Sequence, residues 1–263
     1  MDYYEGGEAK VPVDKSGPWI IEGRGIVKRF GRVVALDGVN ISVREGEIHV
    51  LAGHNGAGKT TLFRIIAGLL RRDAGTLSVL GRDPNSPQWR EVLRLVGYVP
   101  EDAMPYDRLT GYEYLRFFAR IYATSDDEVE RMVERGAKIS GLSERDLARR
   151  AGEYSNGMKR RLLIARALMH SPRLVLLDEP TNGLDVFAAH EVRRLIKSMA
   201  SQGTTFLIAT HNMAEAQYLA TSVTFMAYGR VLFSGSVKEA LEAFSASDLE
   251  EAFVRAVGVE RAA

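Results

Sequence analysis

Cysteine is absent from the 263 residues, so disulfides and thiolate metal sites are excluded. An excess of either charge is absent too: 35 Lys and Arg stand against 34 Asp and Glu, a formal net charge of +1. That balance argues against an electrostatic nucleic-acid binder. No apolar run approaches the ~18 residues needed to span a bilayer. Thr205-Phe206-Leu207-Ile208-Ala209 and Leu174-Val175-Leu176-Leu177 are strand-length. The opening Met1-Asp2-Tyr3-Tyr4-Glu5-Gly6-Gly7-Glu8 has neither a basic start nor an apolar stretch, so no secretory signal is expected. The expectation is a cytoplasmic protein, with any membrane part supplied by another chain. No internal repeat is visible. What is present is an ordinary globular composition, 46% hydrophobic and 26% charged, which suits one large domain or two small ones.

The most informative stretch is Gly53-His54-Asn55-Gly56-Ala57-Gly58-Lys59-Thr60. It fits the phosphate-loop pattern G-x-x-x-x-G-K-[ST]. A strand-like run, Glu47 to Ala52, precedes it, and an amphipathic helix-like run, Thr61 to Leu70, follows. Glycines let the backbone curl so that successive N–H groups form a concave anion site. The new helix adds its positive end beside the phosphates. Lys59 supplies a point charge for the β- and γ-phosphates, and the Thr60 hydroxyl is placed to bind Mg²⁺.

Residues 1–17 are polar and expected to be a flexible extension. Strands are expected at Trp19–Val27, Leu36–Val43, Gly75–Gly81, Leu95–Pro100, Arg173–Leu177 and Thr204–Thr210. Between about Pro105 and Leu168 the pattern turns helical: Glu113–Ala123, Asp126–Ser140 and Ser143–Arg149, with a capping signature at Ser125-Asp126-Asp127-Glu128. A helix at Ala188–Gln202 and a last one opened by Ser247-Asp248 complete the outline. Strands alternating with helices imply an α/β protein whose parallel sheet is flanked by helices and interrupted by a helical block.

Leu174-Val175-Leu176-Leu177-Asp178-Glu179 reads as a buried central strand ending in two carboxylates. Ligands bind at that end of open α/β sheets. Asp178 is therefore expected to meet the Mg²⁺ held by Thr60, and Glu179 to take a proton from an attacking water. His211 ends another strand and is a candidate contact for the γ-phosphate.

These residues resemble the ATP-binding-cassette (ABC) ATPases from about Ile20 to Gly235. Tyr154-Ser155-Asn156-Gly157-Met158-Lys159-Arg160-Arg161 is similar to the family signature, usually Leu-Ser-Gly-Gly-Gln with basic residues after it. Asn182-Gly183-Leu184-Asp185 resembles the family's D-loop, His211 falls at its switch histidine, and Phe30 at the aromatic position that stacks on adenine. The resemblance implies a P-loop NTPase (RecA-like) core with an antiparallel β subdomain, over 18–245. It also implies an inserted α-helical subdomain at about 104–170 and a C-terminal helix over 246–263. It implies ATP contacts from Phe30, the Gly53–Thr60 loop and Thr61, and Mg²⁺ held by Thr60, Asp178 and Glu101. Two cassettes would pair head to tail, so Ser155, Asn156, Gly157 and Asp185 act across the interface. A serine-led turn opening a helix is itself a ready anion site.

Two positions depart from the pattern. Glu101 stands where the family usually has glutamine, which predicts tighter metal coupling with slower turnover. Asn156 and Met158 replace glycine and glutamine; Asn tolerates left-handed backbone better than most residues. The Tyr-Ser-x-Gly-Met signature, Val99-Pro100-Glu101 and terminal Leu249-Glu250-Glu251-Ala252-Phe253 look like single-cassette subunits of drug, sodium or polysaccharide exporters. The expected partners are a second cassette and an integral membrane permease, with no nucleic acid. The expected location is the inner face of the cell membrane. Tyr112, Tyr114, Leu115, Phe117, Phe118, Ile121 and Tyr122 exceed what one buried helix face needs. Most are expected in the core and some in the wall of a groove for the permease. A soluble, non-transport ABC ATPase is the alternative, and such proteins usually carry insertions, paired cassettes or basic arms. A regulatory module that does not turn over is disfavoured by Glu179.

Overall fold

The computed structural model describes residues 18–262; the extension expected at 1–17 lies outside the described residues. The chain begins with β1 (Trp19–Phe30), β2 (Val33–Arg44), β3 (Ile48–Ala52), α1 (Lys59–Ile66), β4 (Ala74–Val79) and β5 (Val96–Val99). Four helices follow: α2 (Gly111–Tyr122), α3 (Asp126–Ser140), α4 (Glu144–Leu147) and α5 (Asn156–Leu168). Then come β6 (Leu174–Asp178), α6 (Val186–Ala200), β7 (Thr205–Thr210), α7 (Met213–Leu219), β8 (Ser222–Ala227), β9 (Arg230–Ser236), α8 (Val237–Ala243) and α9 (Leu249–Ala262).

The central sheet runs β5-β6-β7-β3-β8-β9, parallel except for β9, which is antiparallel to β8. A separate antiparallel sheet, β2-β1-β4, covers one face. Period-2 alternation sorts the side chains. Ile48, Val50, Val175, Leu177, Phe206 and Ile208 join the core shared with α2–α5 and α9. Leu51, Leu174, Leu176, Leu207 and Ala209 join the core shared with α1 and the antiparallel sheet. Strands buried on both faces must be apolar throughout, which is why β6 and β7 read as unbroken runs. The expected fold class is the one observed.

Several boundaries differ from expectation for identifiable reasons. The helix after the phosphate loop ends at Ile66, not Leu70. Gly68 turns the chain with φ 71° and lies so close to Trp89 that a Cβ would sit 2.2 Å from the indole nitrogen. Helix α6 starts two residues early because Asp185 caps it, accepting from the Ala188 N–H at 2.9 Å. Ser125 caps α3, but the Glu128 carboxylate accepts from the Thr124 N–H at 2.7 Å instead of closing a box on Ser125. Complete boxes open α2, between Thr110 and Glu113, and α8, between Ser236 and Glu239. Helix α9 is not an appendage: Leu249, Ala252 and Ala256 are buried in the main core, and Phe253 meets Phe225 edge to face at 5.5 Å.

A buried histidine stands among the apolar strand residues. His49 in β3 bonds the Ser222 hydroxyl at 2.8 Å and the Thr224 hydroxyl at 2.9 Å, pinning β3 to β8. Burial pushes its pKa down to about 4, so the ring is neutral there.

Candidate functional site

Strand β3 delivers the phosphate loop at its carboxyl end. Gly56 and Gly58 have φ of 83° and 100°, a region other residues enter at a cost. A Cβ at Gly53 would lie 2.3 Å from the Met226 carbonyl oxygen, so only glycine fits against β8. Helices α2, α3, α5 and α6 begin under side-chain caps, whereas α1 begins at Gly58 with none and with no acid in its first turn. Its free N–H groups and positive end are available to an anion. Lys59 is buried; its Nζ donates to the Gly53 carbonyl at 2.6 Å and lies 3.8 Å from Glu179 Oε1. Burial lowers its pKa, and the charges of Glu179, Asp178 and Glu101 oppose that shift.

Strands β6 and β7 bring the remaining groups. Asp178, the last residue of β6, is buried, and neither carboxylate oxygen has a hydrogen-bond partner among the described residues. Burial pushes its pKa up to about 6; Glu179 and Glu101 add to the rise, and the neighbouring Thr60 hydroxyl and Lys59 oppose it. Glu179 adopts φ 47°, left-handed and strained for a non-glycine residue. Its N–H donates to Ala209 at 2.8 Å, and its Oε1 lies 2.9 Å from His211 Nδ1. Lys59, Asp178, Glu179 and His211 therefore converge at the carboxyl ends of three adjacent strands. The arrangement can hold a phosphate, bind a hard cation and accept a proton.

Glu101, on the loop after β5, faces the same region from the other side. Its carboxylate accepts from the Asn182 amide at 3.0 Å, and its backbone carbonyl accepts from Arg160 Nη2 at 3.1 Å. Phe30 ends β1 half exposed (50%), with Lys28 Nζ 5.4 Å from the ring centroid. The same β1–β2 hairpin approaches the phosphate loop: a Cβ at Gly58 would lie 2.7 Å from the Ala35 carbonyl oxygen. On the loop Asn55 is exposed and His54 half-buried; His54 Nδ1 contacts the Asn55 carbonyl at 2.7 Å.

The signature-like turn forms a second group. Ser155 caps α5, accepting from the Met158 N–H at 3.2 Å. Asn156 opens the helix without left-handed backbone, so the tolerance invoked for it is not needed. Gly157 packs against α6, where a Cβ would meet Ala188 Cβ at 2.6 Å. Ser155, Asn156 and Asp185 are exposed. No hydrogen bond or ion pair among the described residues joins them to the phosphate loop of their own chain.

Some supporting residues were not legible beforehand. Tyr228 and Gly229, with φ of 51° and 75°, form the β8–β9 turn beneath the phosphate loop. The Gly229 N–H donates to Ala57 at 3.1 Å, and the Tyr228 ring lies 5.2 Å from His54. Arg160 belonged to the basic run after the signature, but nothing there pointed to its burial against Glu101. Glu215 resembles a capping acid, three residues after Asn212, yet its carboxylate points elsewhere.

The chain is similar to known proteins of one family. The ABC transporter family profile matches residues 36–182. The ABC transporter ATP-binding protein NatA of Bacillus subtilis is 35% identical over 223 residues, covering 84% of this chain and 90% of that protein. The Nod factor export ATP-binding protein I of Burkholderia lata is 36% identical over 234 residues, 89% of this chain and 76% of the relative. A solved ATP-binding subunit of an ABC transporter superposes with a TM-score of 0.78 at 30% identity, covering 90% of this chain and 99% of that one.

Proposed function

Since the chain belongs to the ABC transporter family, as an ATP-binding and ATP-hydrolysing cassette, we propose that it powers export of a cargo through a separate membrane permease, with a second cassette closing each nucleotide site. The observation that carries the hydrolytic reading is the cluster at the strand ends. Glu179 lies 2.9 Å from His211 and 3.8 Å from Lys59.

Phosphates rest on the Gly53–Thr61 nest, with Lys59 on the β- and γ-phosphates and the Phe30 ring against the base. The orphaned oxygens of Asp178 fit a divalent cation, and Thr60 and Asp178 would hold Mg²⁺, which supplies neutralising charge beside the phosphates. Glu179 accepts the proton of a water whose oxygen attacks the γ-phosphorus. The bond to the bridging oxygen breaks, and ADP leaves with the electron pair. His211 donates Nδ1–H to Glu179 and so orients the carboxylate toward that water. Ser155, Asn156 and Gly157 of the second cassette complete the γ-phosphate site. Support for that pairing comes from Val186 and Phe187, 78% and 85% exposed beside the signature-like turn. Apolar side chains so exposed next to a functional turn suit an interface.

The permease docks in a groove of about 660 Å³ between the helical block and the α1–β5 side. Tyr114, Phe118, Ile121 and Tyr122 line it with Leu69 and Met104. Among the described residues no helix is long and apolar enough to cross a membrane; the likeness to ATP-binding subunits of transporters supports a peripheral subunit on the cytoplasmic face.

Pairing is tested by mixing two inactive variants, Ser155→Arg and Lys59→Ala. Each alone breaks both composite sites, and the mixed dimer keeps one intact. About a quarter of wild-type phosphate release should return, since half the dimers are mixed and each has one good site of two. A silent mixture of folded variants would contradict action across an interface.

Glu101 gives a second test. Glu101→Gln should raise the Mg²⁺ concentration for half-maximal turnover about threefold, the scale of one partly exposed carboxylate. Asp178 must ionise to meet the cation, so Mg²⁺ demand should rise as pH falls through about 6. Removing the Glu101 charge should move that midpoint down. An unchanged Mg²⁺ titration would count against a metal role for Glu101.

A further inference from the structure

Glu215, in the first turn of α7, is 1% exposed, so its carboxylate is almost wholly removed from water. Its Oε1 accepts from the Thr181 hydroxyl at 2.6 Å, and its Oε2 accepts from the Thr210 hydroxyl at 2.8 Å. Thr181 lies on the turn after β6, two residues past Glu179. Thr210 ends β7, immediately before His211. One buried carboxylate thus joins the two segments that carry the candidate base and its histidine.

The proton count makes the contact more specific. A hydroxyl has a single proton to give. The Thr210 oxygen lies 2.8 Å from Glu215 Oε2 but 3.2 Å from Glu179 Oε2, and it already accepts the Asn212 N–H at 3.1 Å. The shorter contact takes the proton. Glu179 is then left with His211 and the more distant Lys59 as its donors. A Glu179 lone pair not occupied by a neighbouring hydroxyl stays open to the proton of the attacking water. Lys59 on α1, Asp178 on β6, His211 after β7 and Glu215 on α7 are the titratable groups facing Glu179 among the described residues. Arg193 on α6 and Arg160 on α5 contribute positive potential at Glu215.

We infer that Glu215 is a positioning residue of the hydrolytic site: it holds Thr181 and Thr210 together and keeps the Thr210 proton off Glu179. The inference rests on the proposed role of Glu179 as base. Without the Glu215 carboxylate, the Thr210 hydroxyl turns to the other carboxylate in its reach among the described residues, Glu179 at 3.2 Å, and occupies the lone pair that the attacking water needs.

Steady-state ATP hydrolysis with full-length Glu215→Ala and Glu215→Met tests this. Met fills the space without offering a comparable acceptor, so loss of packing and loss of hydrogen bonding separate. Both variants should lower kcat at least tenfold with the KM for ATP within about twofold of wild type. Adding Thr210→Val to either should recover part of the lost kcat, because the misdirected hydroxyl is gone. Wild-type kcat in folded Glu215→Met overturns the inference. So does a parallel loss of kcat and ATP affinity, or a double variant slower than the single one. If the wild-type chain itself shows no turnover that Glu179→Gln abolishes, the hydrolytic reading has failed instead.

Discussion

Glu179→Gln is expected to lower ATP turnover by a factor of about 10² or more, the usual contribution of a placed general base. Gln keeps the shape and can still meet His211, but it cannot take a proton from water. The environment makes the substitution close to isosteric in effect: Glu179 is buried, its backbone is pinned to Ala209 at 2.8 Å, and its φ of 47° is set by the turn. The change also deletes a negative charge beside the phosphate site, so ATP should bind at least as well. Bound ATP that is not consumed keeps two cassettes together. Phosphate release measures the first effect, and light scattering with saturating ATP measures the second. Turnover above a tenth of wild type would remove Glu179 from its proposed role. A protein that stays monomeric with ATP would remove the trapped dimer.

Lys59→Ala is expected to weaken ATP binding about a hundredfold. Charge-assisted hydrogen bonds contribute roughly 1.5–3 kcal/mol each, and Lys59 is placed to make them with two phosphates. Two such bonds at the lower end amount to about 3 kcal/mol, or two decades in Kd. The substitution also leaves Asp178 and Glu179 without their nearest cation. A thermal melt should accompany the titration, so that loss of folding is not mistaken for loss of binding. A fluorescent ATP analogue titrated against folded variant reads the outcome directly. A Kd within tenfold of wild type would defeat the assignment of this loop to the triphosphate.

Legibility in the sequence followed how local each feature is. The phosphate loop was readable because its chemistry needs fixed residues at fixed spacing on one continuous strand, loop and helix. The β6 strand with its two terminal carboxylates was readable because burial on both faces demands an unbroken apolar run. Helix α3 has the expected bounds, Asp126 and Ser140, with Ser125 capping its start; the structure adds Gly141, with φ 60°, as the residue that ends it. The β8–β9 hairpin was not found. Its turn is Tyr228-Gly229, and a tyrosine with positive φ lacks the Asn-Gly or Asp-Gly signal of such turns. The hairpin is stabilised instead by contacts with Asp37 and Ala57, far away in sequence.

By itself, the order of residues was enough to assign the nucleotide chemistry, the α/β class and the family, since each of these is written in short contiguous patterns. Only the packed chain decided which side chains share a proton or a charge. The ion pair of Lys59 with Glu179, the burial of Arg160 against Glu101 and the fork of Glu215 between two threonines all join segments tens of residues apart. Such pairings arise where strand ends meet, and the sheet order β6-β7-β3 is set by tertiary burial rather than by any local preference.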